Sequence, residues 1–169
     1  MCNGGNEMEL WDAYDLSLRK IEGKELVRGK PVPEGCYHLV SDVIVRHADG
    51  TYLLMQRDPK KKFGGLWEMT RGGSALKGEN AEDCRKRELE EETGIVADSF
   101  ELLGIMTSEK YRTIYVEFIV ETDWDKGNIV MQKGETVDYR WVGAKEIARM
   151  KKDELLTDRM QPYLNELRP

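Results

Sequence analysis

A strongly acidic segment, residues 81–93 (AEDCRKRELEEET), is the feature that most restricts what this chain can form. Its composition favours an α-helix, and Gly94 directly after it is a typical C-terminal cap. On one helix, Glu88, Glu91 and Glu92 stand at positions i, i+3 and i+4, which places them on one face. These carboxylates repel one another and crowd the last turn, where the helix macrodipole makes each anion cost about 0.3–1 kcal/mol. A helix selected only for stability would carry lysines here.

A bound divalent cation would resolve this conflict. Arg87 can pair with Glu91 four residues on, but the charges of Glu88 and Glu92 remain. Hard cations prefer clustered carboxylate oxygens, and Mg²⁺ takes a few of these together with water and substrate phosphate. Acidic runs are more often a solvated helix face, so charge alone leaves both interpretations open.

The rest of the chain consists mostly of strand patterns. Residues 8–34 mix short apolar pairs with charge and predict a β-hairpin. Two β-rich runs flank Asp49-Gly50, a dipeptide that supplies the positive φ angles of a tight hairpin turn. Further strands are predicted at LWEMT, ELLGIMTSE, TIYVEFIVET and VDYRWVG, and helices at AKEIARMKK and around LLTDRMQPYLNELR. Mixed strands with few helices, not in strict alternation, predict an α+β sandwich with a helix against a sheet.

The spacing around the acidic segment is specific. A glycine is followed after five residues by a glutamate, and after seven more by Arg-Glu-Leu-x-Glu-Glu-x-Gly-Ile. This pattern resembles, without a mismatch, the signature of the Nudix hydrolase superfamily. A match at this many positions is far more specific than an acidic run alone. The positions concerned are Gly73, Glu79, Arg87, Glu88, Leu89, Glu91, Glu92, Gly94 and Ile95.

The resemblance implies a fold and a domain plan. Nudix proteins are α/β/α sandwiches in which the motif helix packs against a mixed β-sheet, so we expect a single Nudix domain over residues 1–169. The hairpin before the motif and the strands after it fit that plan from about residue 37 to 150. Residues 1–36 would form an N-terminal β-hairpin-like extension, and Leu89 should point into the core.

The resemblance also implies the metal site. In the family the motif glutamates bind Mg²⁺ or Mn²⁺, which makes Glu88, Glu91 and Glu92 the expected ligands by position. Glu79 would either contribute to this site or be held by Arg87. Arg87 is thereby expected to belong to the catalytic machinery.

Family members mostly hydrolyse a diphosphate linked to another group, by attack of water on phosphorus. The metal neutralises developing charge and activates the water, so little covalent chemistry is asked of the protein. A carboxylate must accept the proton of the water. Glu92 is the first choice among the motif glutamates. Glu135, in the segment KGETVDYRW, is the alternative, because its loop lies where several relatives place a base, although an exposed loop glutamate is more often inert.

Candidate substrate-binding residues flank the motif. Gly72 and Gly73 would let the backbone turn tightly and approach the phosphates. Arg57, with the three lysines at residues 60–62, could gather phosphates or only solubilise the loop. Trp67 could stack on the leaving group, but a tryptophan in a strand is more often buried in the core. The motif leaves open whether the substrate is a nucleoside triphosphate, a nucleotide sugar, a dinucleotide or a smaller diphosphate.

Two rival functions follow from the same resemblance. The stretches LWDAYD, VRGKPVPEGCYHLV and WEMTRGGSALKGE look like the Nudix branch related to isopentenyl-diphosphate isomerase, commonly found in uncharacterised bacterial proteins. That isomerase uses a cysteine and a nearby histidine on the strand entering the motif, whereas this strand reads WEMTR and the chain has only two histidines. A non-catalytic nucleotide sensor is the other rival, but such modules usually lose motif glutamates, and all of them are present here.

Charge and cysteine content restrict partners and location. A net charge of −6 and a pI near 5.1 argue against nucleic-acid and membrane-surface partners, because both are polyanionic. Three cysteines without metal-like spacing indicate a reducing, cytoplasmic environment. No window approaches the roughly 18 apolar residues of a membrane span. The N-terminal strands offer edges that could pair across the two-fold axis of a homodimer.

Overall fold

The computed structural model describes residues 8–156 and Tyr163, and this part of the chain forms nine strands and two helices. The helices are α1 (Ala81–Thr93) and α2 (Ala144–Ile147). No helix among the described residues has the length and apolar composition that crossing a membrane requires. The strands are β1 (Leu10–Tyr14), β2 (Lys20–Val27), β3 (His38–His47), β4 (Thr51–Arg57), β5 (Trp67–Glu68), β6 (Thr70–Ser74), β7 (Glu101–Ser108), β8 (Thr113–Thr122) and β9 (Thr136–Gly143).

Seven of the strands form a mixed sheet around β3. The order is β5-β4-β3-β8-β7, with β6 beside β3 and β9 beside β4. Strands β3 and β8 run parallel, while the other pairings in this sheet are antiparallel. The continuous burial from Leu39 to Val45, which includes the polar Ser41 and Asp42, reflects the central position of β3, since this strand is covered on both faces. The mixed sheet with few helices confirms the expected α+β class.

The turn between β3 and β4 differs from the prediction in one respect. Gly50 adopts a φ of +87°, and its N–H donates a hydrogen bond of 2.8 Å to the carbonyl oxygen of His47. Asp49 does not have a positive φ, and its side chain accepts a 3.0 Å hydrogen bond from the N–H of Thr51. The connection is therefore a three-residue turn with one left-handed glycine, not a turn in which both residues of Asp-Gly have positive φ.

Helix α1 ends at the predicted glycine. Gly94 has a φ of +74° and donates its N–H to the carbonyl oxygen of Glu90 at 2.8 Å. At the other end, the side chain of Asn80 accepts a 2.9 Å hydrogen bond from the N–H of Asp83. Leu89 is fully buried, as predicted, where α1 packs on β3 and β6. The helix and its C-terminal cap are confirmed.

The central sheet has an apolar cluster on each face. Because side chains alternate along a strand, Val43 and Val45 join the cluster under α1, whereas Ile44 points to the opposite cluster. The opposite cluster also contains Leu54, Met69, Val142, Ile147 and Leu155. Packing on both faces of one sheet produces the predicted sandwich.

The C-terminal part contains less helix than the sequence predicts. Helix α2 ends at Ile147, so the helix predicted at AKEIARMKK forms only over its first residues. The helix predicted around LLTDRMQPYLNELR lies mostly outside the described residues. Its first residue, Leu155, is buried and bridges to Trp67, and Leu156 donates its N–H to the Trp67 carbonyl oxygen at 2.8 Å. Leu155 and Leu156 therefore make an extended contact with β5 in place of the helical conformation predicted for them.

Strands β1 and β2 form a separate antiparallel pair, which we call the hairpin sheet. It packs on the loop that precedes α1. The N–H of Lys77 donates to the carbonyl oxygen of Leu10, and the N–H of Gly78 donates to Oδ2 of Asp12, each at 2.8 Å. Asp12 is buried, and its Oδ2 also forms an ion pair of 2.9 Å with Nζ of Lys20. These contacts place the hairpin sheet beside the acidic helix.

Asp12 makes the docking of the hairpin sheet dependent on pH. Burial opposes its ionisation, but hydrogen bonds from Lys20 and from the Gly78 N–H hold the pKa of Asp12 below its ordinary value. A carboxyl whose pKa is lower in the folded state contributes its full stabilisation above the unfolded value of about 3.9. That stabilisation is lost as the pH falls through the folded pKa.

We therefore expect Asp12→Asn to lower the free energy of unfolding by about 1 kcal/mol at pH 7. The difference from the parent chain should begin to shrink below about pH 4, where the carboxyl of the unfolded parent becomes protonated, and should be lost as the pH falls through the lower pKa of the folded state. Urea unfolding at both pH values measures it, with Asp98→Asn as the control because that side chain is 94% exposed. A difference that stays constant with pH would contradict the prediction.

Candidate functional site

A cavity of about 460 Å³ lies beside the last turns of α1, between β6, the hairpin sheet and two loops. Its lining is dominated by charged side chains. The acidic residues are Glu9, Glu88, Glu91, Glu92 and Glu135, and the basic residues are Arg28, Lys61 and Arg87. Gly72 and Gly73 line it as well. The fold thus brings together all of the predicted site residues except Glu79, Arg57 and Trp67.

The two glycines that begin the motif are required by close packing. A Cβ at Gly72 would lie 1.9 Å from the carbonyl oxygen of Ser41, where β6 pairs with β3. A Cβ at Gly73 would lie 2.5 Å from Oε1 of Glu88. Both distances are far inside van der Waals contact. A side chain would therefore displace strand backbone at the first position and a cavity carboxylate at the second.

The guanidinium of Arg87 is the centre of the ion-pair network. Nε and Nη2 donate to the two carboxylate oxygens of Glu79 at 2.7 and 2.9 Å, a bidentate pair. Nη1 donates to Oε1 of Glu88 at 2.8 Å and to Oε2 of Glu91 at 3.2 Å. Arg87 thus offsets the repulsion among the helix carboxylates, and the pair with Glu91 is the one that its spacing predicts.

Glu79 is directed at Arg87 and does not line the cavity. Its Oε2 also accepts a 2.9 Å hydrogen bond from the N–H of Leu76. The hydrogen bonds from Arg87 hold the pKa of Glu79 below its ordinary value, against the effect of burial. Of the two roles open from the sequence, the geometry matches the one in which Glu79 is held by Arg87.

Glu88 and Glu91 differ in their exposure. The side chain of Glu88 is 14% exposed, whereas that of Glu91 is 48% exposed. Burial raises the pKa of Glu88, although the hydrogen bond from Arg87 opposes this shift. A further positive charge in the cavity would favour its ionised form, which is the form that a metal ligand requires.

Among the described residues, no three Asp, Glu, His or Cys side chains converge closely enough to hold a metal ion as they stand. Glu88 and Glu91 instead both accept from Nη1 of Arg87. The donor set nevertheless fits a hard divalent cation, since carboxylate oxygens of the acidic helix line the same cavity. The exposure of Glu91 leaves room for its side chain to rotate toward such a cation.

Glu135 and Lys61 join two loops beside the cavity. Their side chains form an ion pair of 2.5 Å, and the N–H of Asp58 donates to the carbonyl oxygen of Glu135 at 2.9 Å. The carboxylate that the sequence offers as an alternative proton acceptor is therefore held by a lysine. Its Oε1 is occupied by the Lys61 ammonium, so it is not free to accept a proton from water as it stands.

Arg57 and Trp67 lie outside the cavity. Nη1 of Arg57 donates to Oε2 of Glu68 at 2.6 Å, and its Nε donates to the carbonyl oxygen of Lys62 at 3.0 Å. Trp67 packs against the apolar cluster on the sheet face opposite α1, and the guanidinium of Arg140 lies 4.2 Å from the centre of the Trp67 ring. Of the basic loop after β4, only Lys61 reaches the cavity.

Comparison with known families places this geometry in context. A model of the NUDIX domain matches residues 37–164, about three quarters of the chain. The chain belongs to the Nudix superfamily. The match confirms the family that the motif indicates. Nudix hydrolases are generally metal-dependent pyrophosphohydrolases, and the acidic cavity agrees with that activity.

Similar proteins support the Nudix fold over most of the chain. An uncharacterized Nudix hydrolase of Listeria monocytogenes is 31% identical over 150 residues, which are 85% of each chain. A solved structure from Deinococcus radiodurans has a TM-score of 0.74 at 16% identity and covers 95% of this chain and 100% of its own. The Nudix domain of NrtR from Shewanella oneidensis, solved with ADP-ribose, has a TM-score of 0.60 at 19% identity and covers 78% of this chain and 86% of its own.

Sequence reasoning missed part of this Nudix cavity. Glu9, Trp11, Arg28 and Gln132 line it, yet none of them belongs to the motif. No local pattern marks these residues, because their position depends on how the hairpin sheet and the loop before β9 pack against α1. The motif glutamates, in contrast, are brought together by a single helix.

The Nudix glycine at position 73 offers a test of the role of Glu88. In Gly73→Ala the three nearest neighbours of the new methyl group all belong to the Glu88 side chain. We expect the fold to persist and turnover to fall about 100-fold, because a small misplacement in an active site is costly. Initial rates with Mg²⁺ and a thermal melt measure both, with Gly143→Ala as the control because its Cβ meets nothing within 4 Å. Full turnover in a folded Gly73→Ala chain would contradict the assignment of Glu88 to the site.

Proposed function

We propose that this Nudix protein hydrolyses a diphosphate linkage in a nucleotide-type or other X-linked diphosphate, with Mg²⁺ or Mn²⁺ as cofactor. The observation that supports the proposal is the cavity in which three motif carboxylates of α1 lie together with the ammonium group of Lys61. Carboxylates can hold a cation there, and the lysine can attract phosphate. A charged diphosphate substrate requires both.

In this proposal the cation is held by Glu88, Glu91 and Glu92. When bound, it neutralises charge on the diphosphate and activates a water molecule for attack on phosphorus. Arg87 positions Glu88 and Glu91 through its Nη1 donors, and Glu79 anchors Arg87 from the other side. The motif arginine and its partner glutamate thus act on the reaction through the orientation of the ligands.

Glu92 is the proposed proton acceptor. It lines the cavity on the last turn of α1, next to Glu91. Glu135 would first have to leave its ion pair with Lys61 before it could act as a base. Attack on phosphorus requires that the proton of the water be taken up by a carboxylate within reach of it.

Phosphorus NMR tests the proposed function. The purified protein is incubated with pooled nucleotide sugars, dinucleotides, nucleoside triphosphates and isoprenoid diphosphates, first with Mg²⁺ and then with a chelator. Hydrolysis predicts the loss of a diphosphate resonance only when metal is present, and the lost resonance identifies the substrate class. If every resonance survives and one shifts on addition of protein, a nucleotide sensor would replace the hydrolase proposal.

Four wider predictions accompany this function. Residues 1–169 would form a single Nudix domain, with residues 1–36 as its extension, and the protein would act in the cytoplasm. Its partners would be small molecules, with no nucleic acid. A homodimer through the N-terminal strand edges would give twice the monomer mass by light scattering, and a monomeric mass would contradict it.

A further inference from the structure

The hairpin sheet supplies part of the cavity although it lies outside the matched Nudix domain. That match begins at residue 37, whereas Glu9, Trp11 and Arg28 line the cavity from the ends of β1 and β2. The Deinococcus radiodurans structure covers 95% of this chain, so its similarity must include most of the hairpin sheet. The cavity therefore has one wall that the Nudix motif does not describe.

The position of this wall is held by main-chain hydrogen bonds. Tyr14 and Tyr37 exchange two backbone hydrogen bonds of 2.9 Å, and the hydroxyl of Tyr14 donates to the carbonyl oxygen of Glu79 at 3.2 Å. The N–H of Arg28 donates to the carbonyl oxygen of Glu9 at 3.0 Å. Residues at the ends of the hairpin sheet are thus fixed relative to the motif loop.

The carboxylate of Glu9 orients the two other side chains of this wall. Oε1 accepts a 2.7 Å hydrogen bond from the indole N–H of Trp11, and Oε2 accepts a 2.6 Å hydrogen bond from Nη1 of Arg28. The Trp11 ring stacks on the His38 ring with 4.5 Å between the ring centroids, and Trp11 is only 8% exposed, so its ring is not available to stack on a ligand. Arg28 is 65% exposed and is the side chain of this wall that can meet a ligand.

Arg28 has fewer ion-pair partners than Arg87, and its guanidinium has more N–H donors than the ammonium group of Lys61. Arg87 is engaged by three carboxylates, and Lys61 is engaged by Glu135. The guanidinium of Arg28 has a single ion-pair partner, Glu9, among the described residues. An arginine carries five N–H donors in a planar fork that fits phosphate or carboxylate, so most of them can serve a ligand.

We infer that Arg28 is a specificity-determining residue, which binds a phosphate or carboxylate on the part of the substrate that lies beyond the scissile diphosphate. The inference rests on the proposed function and specifies its substrate class. The motif side of the cavity holds the diphosphate and its cation, and the hairpin sheet holds a second anionic group. Substrates with an additional negative charge are therefore preferred over neutral analogues.

The alternative is an ordinary surface ion pair between Arg28 and Glu9, which would contribute little to stability and nothing to binding. Both explanations predict that loss of Arg28 leaves the fold intact. They differ in ligand binding. Only the specificity role makes affinity depend on one negative charge of the ligand.

The test measures binding in a Glu92→Gln background, so that the proposed hydrolysis does not consume the ligand. Calorimetry with Mg²⁺ compares three pairs that differ by one anionic group: UDP-glucose and UDP-glucuronate, NADH and NADPH, and pyrophosphate and tripolyphosphate. Each pair is measured with the background chain and with added Arg28→Ala, Arg28→Lys or Arg19→Ala. Arg19 is the matched control, because it lies in the same extension and, within the described part of the chain, forms an ion pair only with Asp15 at the surface.

We expect the background chain to bind the more anionic member of at least one pair about five- to tenfold more tightly. Arg28→Ala should remove this preference, Arg28→Lys should retain part of it, and Arg19→Ala should leave it unchanged. If no pair shows a preference that depends on Arg28, the assignment is overturned. The phosphorus NMR screen on the parent chain decides hydrolysis separately, so a failure of the proposed function is distinguishable from a failure of this inference.

Discussion

Replacing Glu91 and Glu92 together by Gln lowers metal-dependent turnover by at least about a thousandfold, because it removes two cation ligands and the proposed proton acceptor in one step. Glutamine keeps the size of each side chain but lacks the negative charge that a hard cation requires. Both positions lie on the last turn of α1 and line the cavity. The measurement is the initial rate of diphosphate hydrolysis over a range of Mg²⁺ concentrations.

The fold should survive this double change. Loss of the Glu91 pair with Arg87 is offset by the removal of two anions from the negative end of the helix, each of which costs about 0.3–1 kcal/mol. Glu90→Gln is the matched control, because Glu90 lies on the same turn, is exposed and does not line the cavity. Unchanged turnover in the double variant would reject the assignment of the site to these glutamates.

Gly72→Ala is expected to have the largest effect on stability. Its Cβ would lie 1.9 Å from the carbonyl oxygen of Ser41 and 2.8 Å from Cα of Asp42, both in the backbone of β3. Neither neighbour is a flexible side-chain end, so β6 must move away from the central strand. We expect the free energy of unfolding to fall by about 3–5 kcal/mol, at the upper end of overpacking effects.

Chemical denaturation measures this effect, with Gly104→Ala as the control. Gly104 also lies in a strand of the central sheet, but a Cβ there meets nothing within 4 Å, so its substitution should change stability by less than about 1 kcal/mol. Equal stability of the two variants would show that β3 and β6 can separate without cost. Comparison of Gly72→Ala with Gly73→Ala distinguishes a glycine that the sheet requires for stability from one that the site requires for turnover.

The local features of the site could be predicted because their causes are local. Positions i, i+3 and i+4 of one helix share a face whatever surrounds the helix, so helix geometry alone places Glu88, Glu91 and Glu92 on the same face. The left-handed cap at Gly94 follows from the lack of a Cβ, whereas the burial of Leu89 is what the Nudix resemblance implied. The same locality explains why the pair between Arg87 and Glu91 was visible in the spacing.

Predictions that depended on loops were less informative. Arg57 ends β4 and Lys61 lies in the basic loop that follows, yet only Lys61 lines the cavity, while Arg57 pairs with Glu68 of β5. Composition cannot separate two such residues, because a loop with many cations offers many orientations. Trp67 is partly buried against the apolar cluster on the sheet face opposite α1, which agrees with the burial that a strand tryptophan usually has.

The sequence by itself determined the Nudix family, the acidic helix and the three helix carboxylates that line the cavity, since all of these depend on residue types at short, fixed spacings. Only the tertiary structure decided that Glu135 is held by Lys61 and that Glu9 and Arg28 form a wall of the same cavity. These contacts join residues far apart in the chain. Their formation depends on how separate sheets and loops dock, which no local pattern records.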